Sequence, residues 1–570
     1  MNSQEIREKF IKFFEARGHK AVPSSSLIPT DPSVLLTTAG MQQFKPYFTG
    51  EKDPIKDFGS KNTISIQKSF RTSDIDEVGD DSHLTFFEMM GNFSFGGYFK
   101  KEAIEYAHEF ITKEMGLIID YVSVFQGDSE VPADVESEEI WKSLGIADIR
   151  KFSREDNFWG PTGIEGPCGP TTEIYVNGVE VWNIVFNEYY MKPDKTLEPL
   201  KTKGVDTGMG LERLAVSYQR RQNFFETDLF DFINLIPKNV PEKQKRIMAD
   251  HARGTVFLLA EGIIPSNKDR GYILRRLMRR VFVYENINKL DNNLIGKIVS
   301  AVINKYGEFY SELVRGSRSI SGEFEKEKNV FEKTLARGLR ELDKIESING
   351  KTAFDLYQSF GLPFEIIKEL GGSKSHELTH ESFDTELEKH QEISRAGAEK
   401  KFGGHGLVEG DLTAADEAEM KIKTRLHTVT HLLNAALHKV LGDEISQRGS
   451  DITVERTRFD FVFSRKLTDE EIKKVENLVN DAIIQDYPIT IQEMSLDKAK
   501  KSGALFFYQG NYPDVVKVYS IGPSTGSGSP FSRELCGGPH VNRTGEIGKF
   551  CIIKEESSSA GIRRIRAIVE

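Results

Sequence analysis

A chain of 570 residues exceeds what one hydrophobic core organises, so roughly two to four domains are expected, and 38% hydrophobic with 29% charged residues excludes a disordered protein. The net charge of −11 excludes indiscriminate coating of nucleic acid but leaves room for a local basic face. No apolar run suits a bilayer, the N-terminal MNSQEIREKFIKFFEARGHK lacks a signal peptide's apolar stretch, and three cysteines cannot form a disulfide framework, which predicts a cytoplasmic location without membrane association. Ile6, Phe10, Phe13 and Phe14 recur at helical spacing until Pro23 and the serines after it break the pattern. LTFFEMMGNFSF (84–95) and EVWNIVFNEYY (180–190) read as buried strands. GVDTGMGLERLAVSY (204–218) reads as a glycine-rich turn entering a helix, with Asp206 near its start. From 231 to about 345 the pattern is helical, and RGYILRRLMRRVFVY (270–284) places Arg275 with Arg279, and Arg276 with Arg280, one turn apart. A loose stretch over about 371–425, including GGHGLVEGDL, reads as a connector. Helix HTVTHLLNAALHKVL, strand TVERTRFDFVF, a helix over 469–485 and further strands then form an α+β domain.

HTVTH puts His427 and His431 four residues apart, on one helix face. CGGPH adds Cys536 and His540 on a glycine-rich turn. Three imidazoles and a thiolate match the N/S preference and tetrahedral geometry of Zn²⁺. The bland alternative is two unrelated pairs, a helix-face coincidence and a buried small residue.

HTVTHLLNAALHKVLGDEISQRGSDITVERTRFDF, SRELCGGPHV and GEIGKFCIIKEESSSAGIRRIRAIV resemble the editing domain of the alanyl-tRNA synthetases and their free-standing relatives. The resemblance implies that His427, His431, Cys536 and His540 hold zinc and that Gln447 lies near the bound aminoacyl group. Pro539 stands where the family usually has threonine, which fixes φ and removes a backbone donor.

Over about 1–220, TTAGMQQFKPYF, FRTSDIDEVG, TFFEMMGNFSFGGYFK, NFW, GPCGPTTEI, VWNIVFNEY and VDTGMGLERL follow the order of the same family's class II catalytic domain. The implied chemistry is attack of the alanine carboxylate on the α-phosphate of ATP, carried with Mg²⁺, which demands charge neutralisation and alignment. By resemblance Arg71 grips the α-phosphate, Phe87 stacks on adenine and Arg213 holds the ATP tail. Asp206 pairs with the alanine ammonium, and Met41, Trp159, Asn183, Val185 and Gly208 line the rest of the alanine pocket. The loop after Arg71 is shorter than the family's, with Asp74 close behind, and the loop before VWNIVF is short too.

A pocket sized for a methyl group separates alanine from glycine by only about 1–3 kcal/mol and excludes serine poorly, so a second, hydrolytic site belongs in the same chain. RIMADHARGTVFLLAEGIIPSNKDRGYILRRLMRR (246–280) resembles the helical tRNA-recognition domain. The resemblance implies that Asn267 helps read a G·U pair in the acceptor stem of tRNA(Ala). It also implies that Arg275, Arg276, Arg279 and Arg280 offer a basic ridge to its phosphates. The family's second base-pair reader, an aspartate, is replaced by Gln358 or its role passes to Glu365.

The expected organisation is an antiparallel class II sheet flanked by helices (1–230, alanine activation), an all-helical domain (231–372, tRNA recognition), a linker (373–425) and an α+β editing domain (426–570). About 65 residues separate LYQSFGLP from HTVTHLL, too few for the family's intervening β-barrel, and the C-terminal elbow-binding module is not expected. A monomer follows, because that extension often dimerises. The alternative from another class is a trans-editing deacylase whose N-terminal domain no longer activates an amino acid; Arg71, Asp206 and Arg213 count against it.

Overall fold

The computed structural model describes residues 1–30, 34–161, 163–401, 414, 416–442, 445–505, 513–522, 530–559 and 561–570. Two compact units emerge, Met1–Asp384 and Thr385–Glu570.

The first unit is built on a sheet of nine strands: β1 (Lys20–Ala21), β2 (Asn62–Phe70), β3 (Phe86–Ser94), β4 (Tyr121–Phe125), β5 (Ile149–Phe152), β6 (Phe158–Trp159), β7 (Gly166–Val176), β8 (Val179–Met191) and β9 (Leu197–Gly210). Their order is β1-β2-β3-β9-β8-β7-β4-β5, with β6 on β7. The pairings are antiparallel except β1–β2 and β4–β5. Helix Ser3–Glu15 starts in a capping box, Asn2 Oδ1 accepting from Glu5 N while Glu5 Oε2 accepts from Asn2 N. Its apolar stripe buries Phe10 and Phe14 against Trp182 of β8.

The stretch around Asp206, expected to be a turn, is instead strand. β9 runs through it between β3 and β8, and the helix begins only at Leu211. Glycines serve close packing here: a Cβ on Gly204 would come 2.6 Å from the Phe48 ring.

Helices Glu242–Ala260, Asp269–Ile287, Leu294–Gly307 and Ser311–Lys344 belong to the same unit as the sheet, so the boundary expected near 230 lies inside it. Phe257 stacks on Phe86 with ring centroids 3.9 Å apart. The linker expected over 373–425 contains helix His380–Lys401, rich in helix-forming Glu and Lys and free of proline. The glycine stretch 403–412 lies outside the described residues.

In the second unit, helix Glu417–Leu441 is capped by Asp416, whose side chain accepts from Glu419 N. β10 (Gln447–Ile452), β11 (Thr457–Val462), β15 (Phe550–Ser559) and β16 (Ile562–Val569) form one sheet in the order β10-β11-β16-β15. β12 (Ile489–Ser495), β13 (Val515–Ile521) and β14 (Ser532–Leu535) form another. Val429, Leu433, Phe459, Phe461, Val475 and Ile565 share one core, which brings helices Glu417–Leu441 and Asp469–Ile484 onto the larger sheet.

Candidate active site and metal centre

A cavity of about 630 Å³ opens in the first unit, with Arg71, Phe87, Trp159, Asn183, Asp206 and Arg213 in its wall. The β2–β3 pairing sets Ser69 opposite Phe87, so Arg71 emerges just past the end of β2, its guanidinium 4.9 Å from the Phe87 ring. Arg213 comes from the first turn of helix Leu211–Gln219 and donates to Glu180 Oε2 at 2.7 Å. Burial lowers the proton affinity of Arg71; Asp74 opposes this and Arg213 adds to it. Two guanidiniums facing one cavity disfavour each other's charge, and a polyanion between them relieves that cost.

Deeper in, the β8–β9 ladder sets Val185 opposite Asp206 and Asn183 opposite Gly208. Asp206 is buried, and no cation stands beside it among the described residues; burial pushes its carboxyl up to about 7. Asn183 Oδ1 and Trp159 Nε1 are buried without a hydrogen-bond partner among the described residues. Two acceptors, Asp206 and Asn183 Oδ1, and one donor, Trp159 Nε1, therefore belong to residues lining the same cavity. Val185 and Gly208 also line the cavity. Met41, expected there, does not: it is buried among Phe44, Phe48, Phe93 and Phe95, and the wall is made by Gly40 and Met89, linked by Gly40 N to Met89 Sδ at 3.3 Å.

In the second unit the ligand atoms of His427, His431, Cys536 and His540 all lie within 4.8 Å of one another. Each imidazole spends Nδ1 on an outer partner: His427 on the Pro539 carbonyl (3.0 Å), His431 on Glu534 Oε2 (2.5 Å) and His540 on Thr428 Oγ1 (3.2 Å). Nε2 of His427 and of His540 each lie 3.4 Å from Cys536 Sγ, and His431 Nε2 is buried without a hydrogen-bond partner among the described residues. Three imidazoles and a thiol gathered this closely, each ring steadied through its other nitrogen, could hold a metal ion. Pro539 acts through its carbonyl, so the loss of the family's threonine leaves this contact intact. Glu534 was not legible as a site residue from motif spacing, although strand alternation sets it two residues before Cys536. Its Oε1 is also held by Asn434 and Ser532. Gln447 opens β10, its amide 3.4 Å from Ser450 Oγ.

The expected basic ridge is not a ridge. Arg280 is 2% exposed and donates to the Ile75 carbonyl. Arg279 is held by Glu327 and the Gly361 carbonyl. Arg276 pairs with Asp76 and Glu365, and Arg275 with Glu327 and Asn267. Half-buried guanidiniums keep their charge by taking carboxylate partners from neighbouring elements, and helix Asp269–Ile287 is packed on several sides. Glu365 is therefore committed to Arg276, while Gln358 and Asn267 are exposed.

The family described as "tRNA synthetases class II (A)" matches residues 5–451, and "Threonyl and Alanyl tRNA synthetase second additional domain" matches residues 516–566. A protein of Treponema denticola named alanine–tRNA ligase is 44% identical over 99% of this chain and 98% of its own length. One of Borrelia hermsii, with the same name, is 42% identical over 100% of both chains. In Fervidobacterium nodosum the similarly named protein is 36% identical over 100% of this chain and 80% of its own. Among the described residues no helix is long and apolar enough to cross a membrane. With two such domain matches in order and relatives aligned from end to end, the chain belongs to the class II alanine–tRNA ligase family.

Proposed function

We propose that this chain activates alanine with ATP, transfers it to the 3′ end of tRNA(Ala), and hydrolyses seryl- and glycyl-tRNA(Ala) at a separate zinc-holding site. The observation that carries the reading is Asp206: a buried carboxylate with no cation beside it among the described residues, in a cavity that also holds two arginines. The substrate ammonium supplies the missing positive charge, and Asn183 Oδ1 offers a second acceptor to it. Trp159 Nε1 is the donor for the amino-acid carboxylate. Phe87 takes adenine, and Arg71 and Arg213 grip the triphosphate brought in with Mg²⁺. Arg71 is placed to stabilise the charge that develops at the α-phosphate as pyrophosphate leaves. Val185 and Gly208 line the part of the cavity assigned to the alanine methyl group.

Editing falls to the second unit. His427, His431, Cys536 and His540 would hold Zn²⁺, which when bound supplies a Lewis acid beside the aminoacyl ester; Gln447 contributes to the aminoacyl pocket. For tRNA recognition, Asn267 is exposed and its Oδ1 is taken by Arg275, leaving its amide nitrogen as a donor to a base edge. The functional division runs 1–230 for activation, 231–372 for tRNA and 426–570 for editing, although the first two share one compact unit. The deacylase alternative is disfavoured by the intact cavity and by relatives named as ligases over their whole length.

The test is charging of tRNA(Ala) with alanine and with serine, each with and without a zinc chelator. Alanyl-tRNA is expected in both conditions, and seryl-tRNA is expected to accumulate only with the chelator. Absence of alanylation would overturn the reading.

A further inference from the structure

The loop that leaves Arg71 and returns to Phe87 is fastened at both ends to helices behind the cavity. Thr85 closes it, its carbonyl accepting from Arg71 N at 2.9 Å. Thr85 N and Oγ1 donate to the two carboxylate oxygens of Asp250 at 3.0 and 2.7 Å. His251 Nδ1 lies 2.9 Å from Asp250 Oδ2, and its Nε2 lies 2.9 Å from Arg280 Nη1. A guanidinium only donates, so Nε2 is the acceptor and the ring proton sits on Nδ1, donated to Asp250. Arg280 Nη1 also donates to the Ile75 carbonyl at 2.8 Å, in the turn just past Arg71. Burial holds His251 down at about 4, so the ring is neutral at pH 7, as this pattern requires.

All of these side chains are buried, and Asp250, His251 and Arg280 are absent from the cavity wall. The approach is close as well: a Cβ on Gly254, one turn along from Asp250, would lie 2.9 Å from Thr85 Oγ1. A buried polar chain contributes little more stability than apolar packing of the same volume, but it fixes geometry.

We infer that Asp250, His251 and Arg280 are positioning residues for adenylate formation. They hold both stems of the loop, through Thr85 and Ile75, so that Arg71 stays in register beside Phe87. This rests on the proposed role of Arg71 toward ATP. Alanine meets other strands, so the device acts on ATP and not on the amino-acid pocket.

The test is alanine-dependent pyrophosphate exchange by the full chain carrying Thr85→Val, Thr85→Ser or Arg280→Lys. Thr85→Val keeps the volume and removes one donor; it is expected to lower kcat/KM for ATP about tenfold or more with KM for alanine within about twofold. Thr85→Ser restores the hydroxyl and is expected to recover most of the loss. Arg280→Lys is expected to give the same ATP-selective defect. Unchanged ATP parameters in Thr85→Val and Arg280→Lys, or equal losses toward ATP and alanine, would overturn the inference. Failure of both variants to fold would assign the chain of bonds to stability alone and overturn it too. Full exchange by Arg71→Gln would instead defeat the role of Arg71 itself, which separates the two claims.

Discussion

Asn183 donates its Nδ2 to Oε1 of Glu173 at 3.0 Å, and that bond decides which end of the amide is left for the cavity. Glu173 Oε2 is occupied by Ser123 Oγ and Tyr175 Oη at 3.0 and 2.8 Å, so the carboxylate is fixed on both sides. Asn183 Oδ1 is thereby left unpaired among the described residues, as the proposed acceptor for the substrate ammonium requires. Glu173→Gln lets the amide pair either way round and is expected to raise KM for alanine about tenfold while KM for ATP stays put. Pyrophosphate exchange at varied alanine and ATP reads both constants; an equal rise in the two would contradict the assignment.

The same pocket predicts a pH dependence. Burial pushes both Asp206 and Glu173 up to about 7, the charge of Glu180 adding to the shift at Glu173. Asp206 must be ionised to pair with an ammonium, so kcat/KM for alanine is expected to fall as pH drops below about 7. If the limb belongs to Asp206 it survives Glu173→Gln.

For stability the sign is the reverse. The folded state binds the Asp206 proton more tightly than the unfolded chain does, so stability is fully present below the ordinary carboxylate range and lost as pH rises toward 7. Asp206→Asn is expected to melt higher than the parent at pH 8 without alanine, while losing about 100-fold or more in kcat/KM. A lower melting temperature at pH 8 would show that the carboxylate has a protein partner after all.

Cys536→Ala removes the thiolate and is expected to lower bound zinc and seryl-tRNA hydrolysis, with alanine-dependent exchange unchanged. Gly538→Ala reaches the centre another way, because a Cβ there would run into the His427 ring. It is expected to reduce zinc occupancy with all four ligands still present. Metal analysis of the purified proteins checks both, and normal zinc content in Cys536→Ala would remove that residue from the ligand set.

Glu365 is buried against Arg276 and Arg280, which together hold its carboxyl at about 2 although burial pushes the other way. Its contribution to stability is present above the ordinary carboxylate range and is lost as pH falls toward 2. Glu365→Gln strips the buried Arg276 of its nearest carboxylate and is expected to cost about 3–5 kcal/mol, read as a lower melting temperature. Discrimination between G·U and G·C acceptor stems is expected to be unaffected in minihelix charging. Loss of discrimination without loss of stability would return Glu365 to base reading.

Sequence order singled out Arg71, Phe87, Asp206 and Arg213 as short motifs, and all four line one cavity. HTVTH and CGGPH were legible for a simpler reason: helix and turn geometry alone bring their ligands within reach. Partners distant in sequence were not. Four arginines on adjacent helical turns read as a surface ridge, since nothing in RRLMRR reveals Glu327, Glu365 or the Ile75 carbonyl waiting in other elements. Glycines near Asp206 suggested a turn, when they serve the close packing of a central strand. Glu173 and Asp250 lie inside GPCGPTTEI and RIMADHARG, but nothing in those stretches reveals the Asn183 amide or the Thr85 hydroxyl that each one holds.

Alanine-dependent exchange of pyrophosphate into ATP is the most direct test of alanine activation in the cavity lined by Arg71 and Asp206. Exchange is expected with alanine, weakly with serine and glycine, and to be lost in Arg71→Gln and Asp206→Asn. No exchange with alanine by the intact chain, or undiminished exchange by Asp206→Asn, would contradict it.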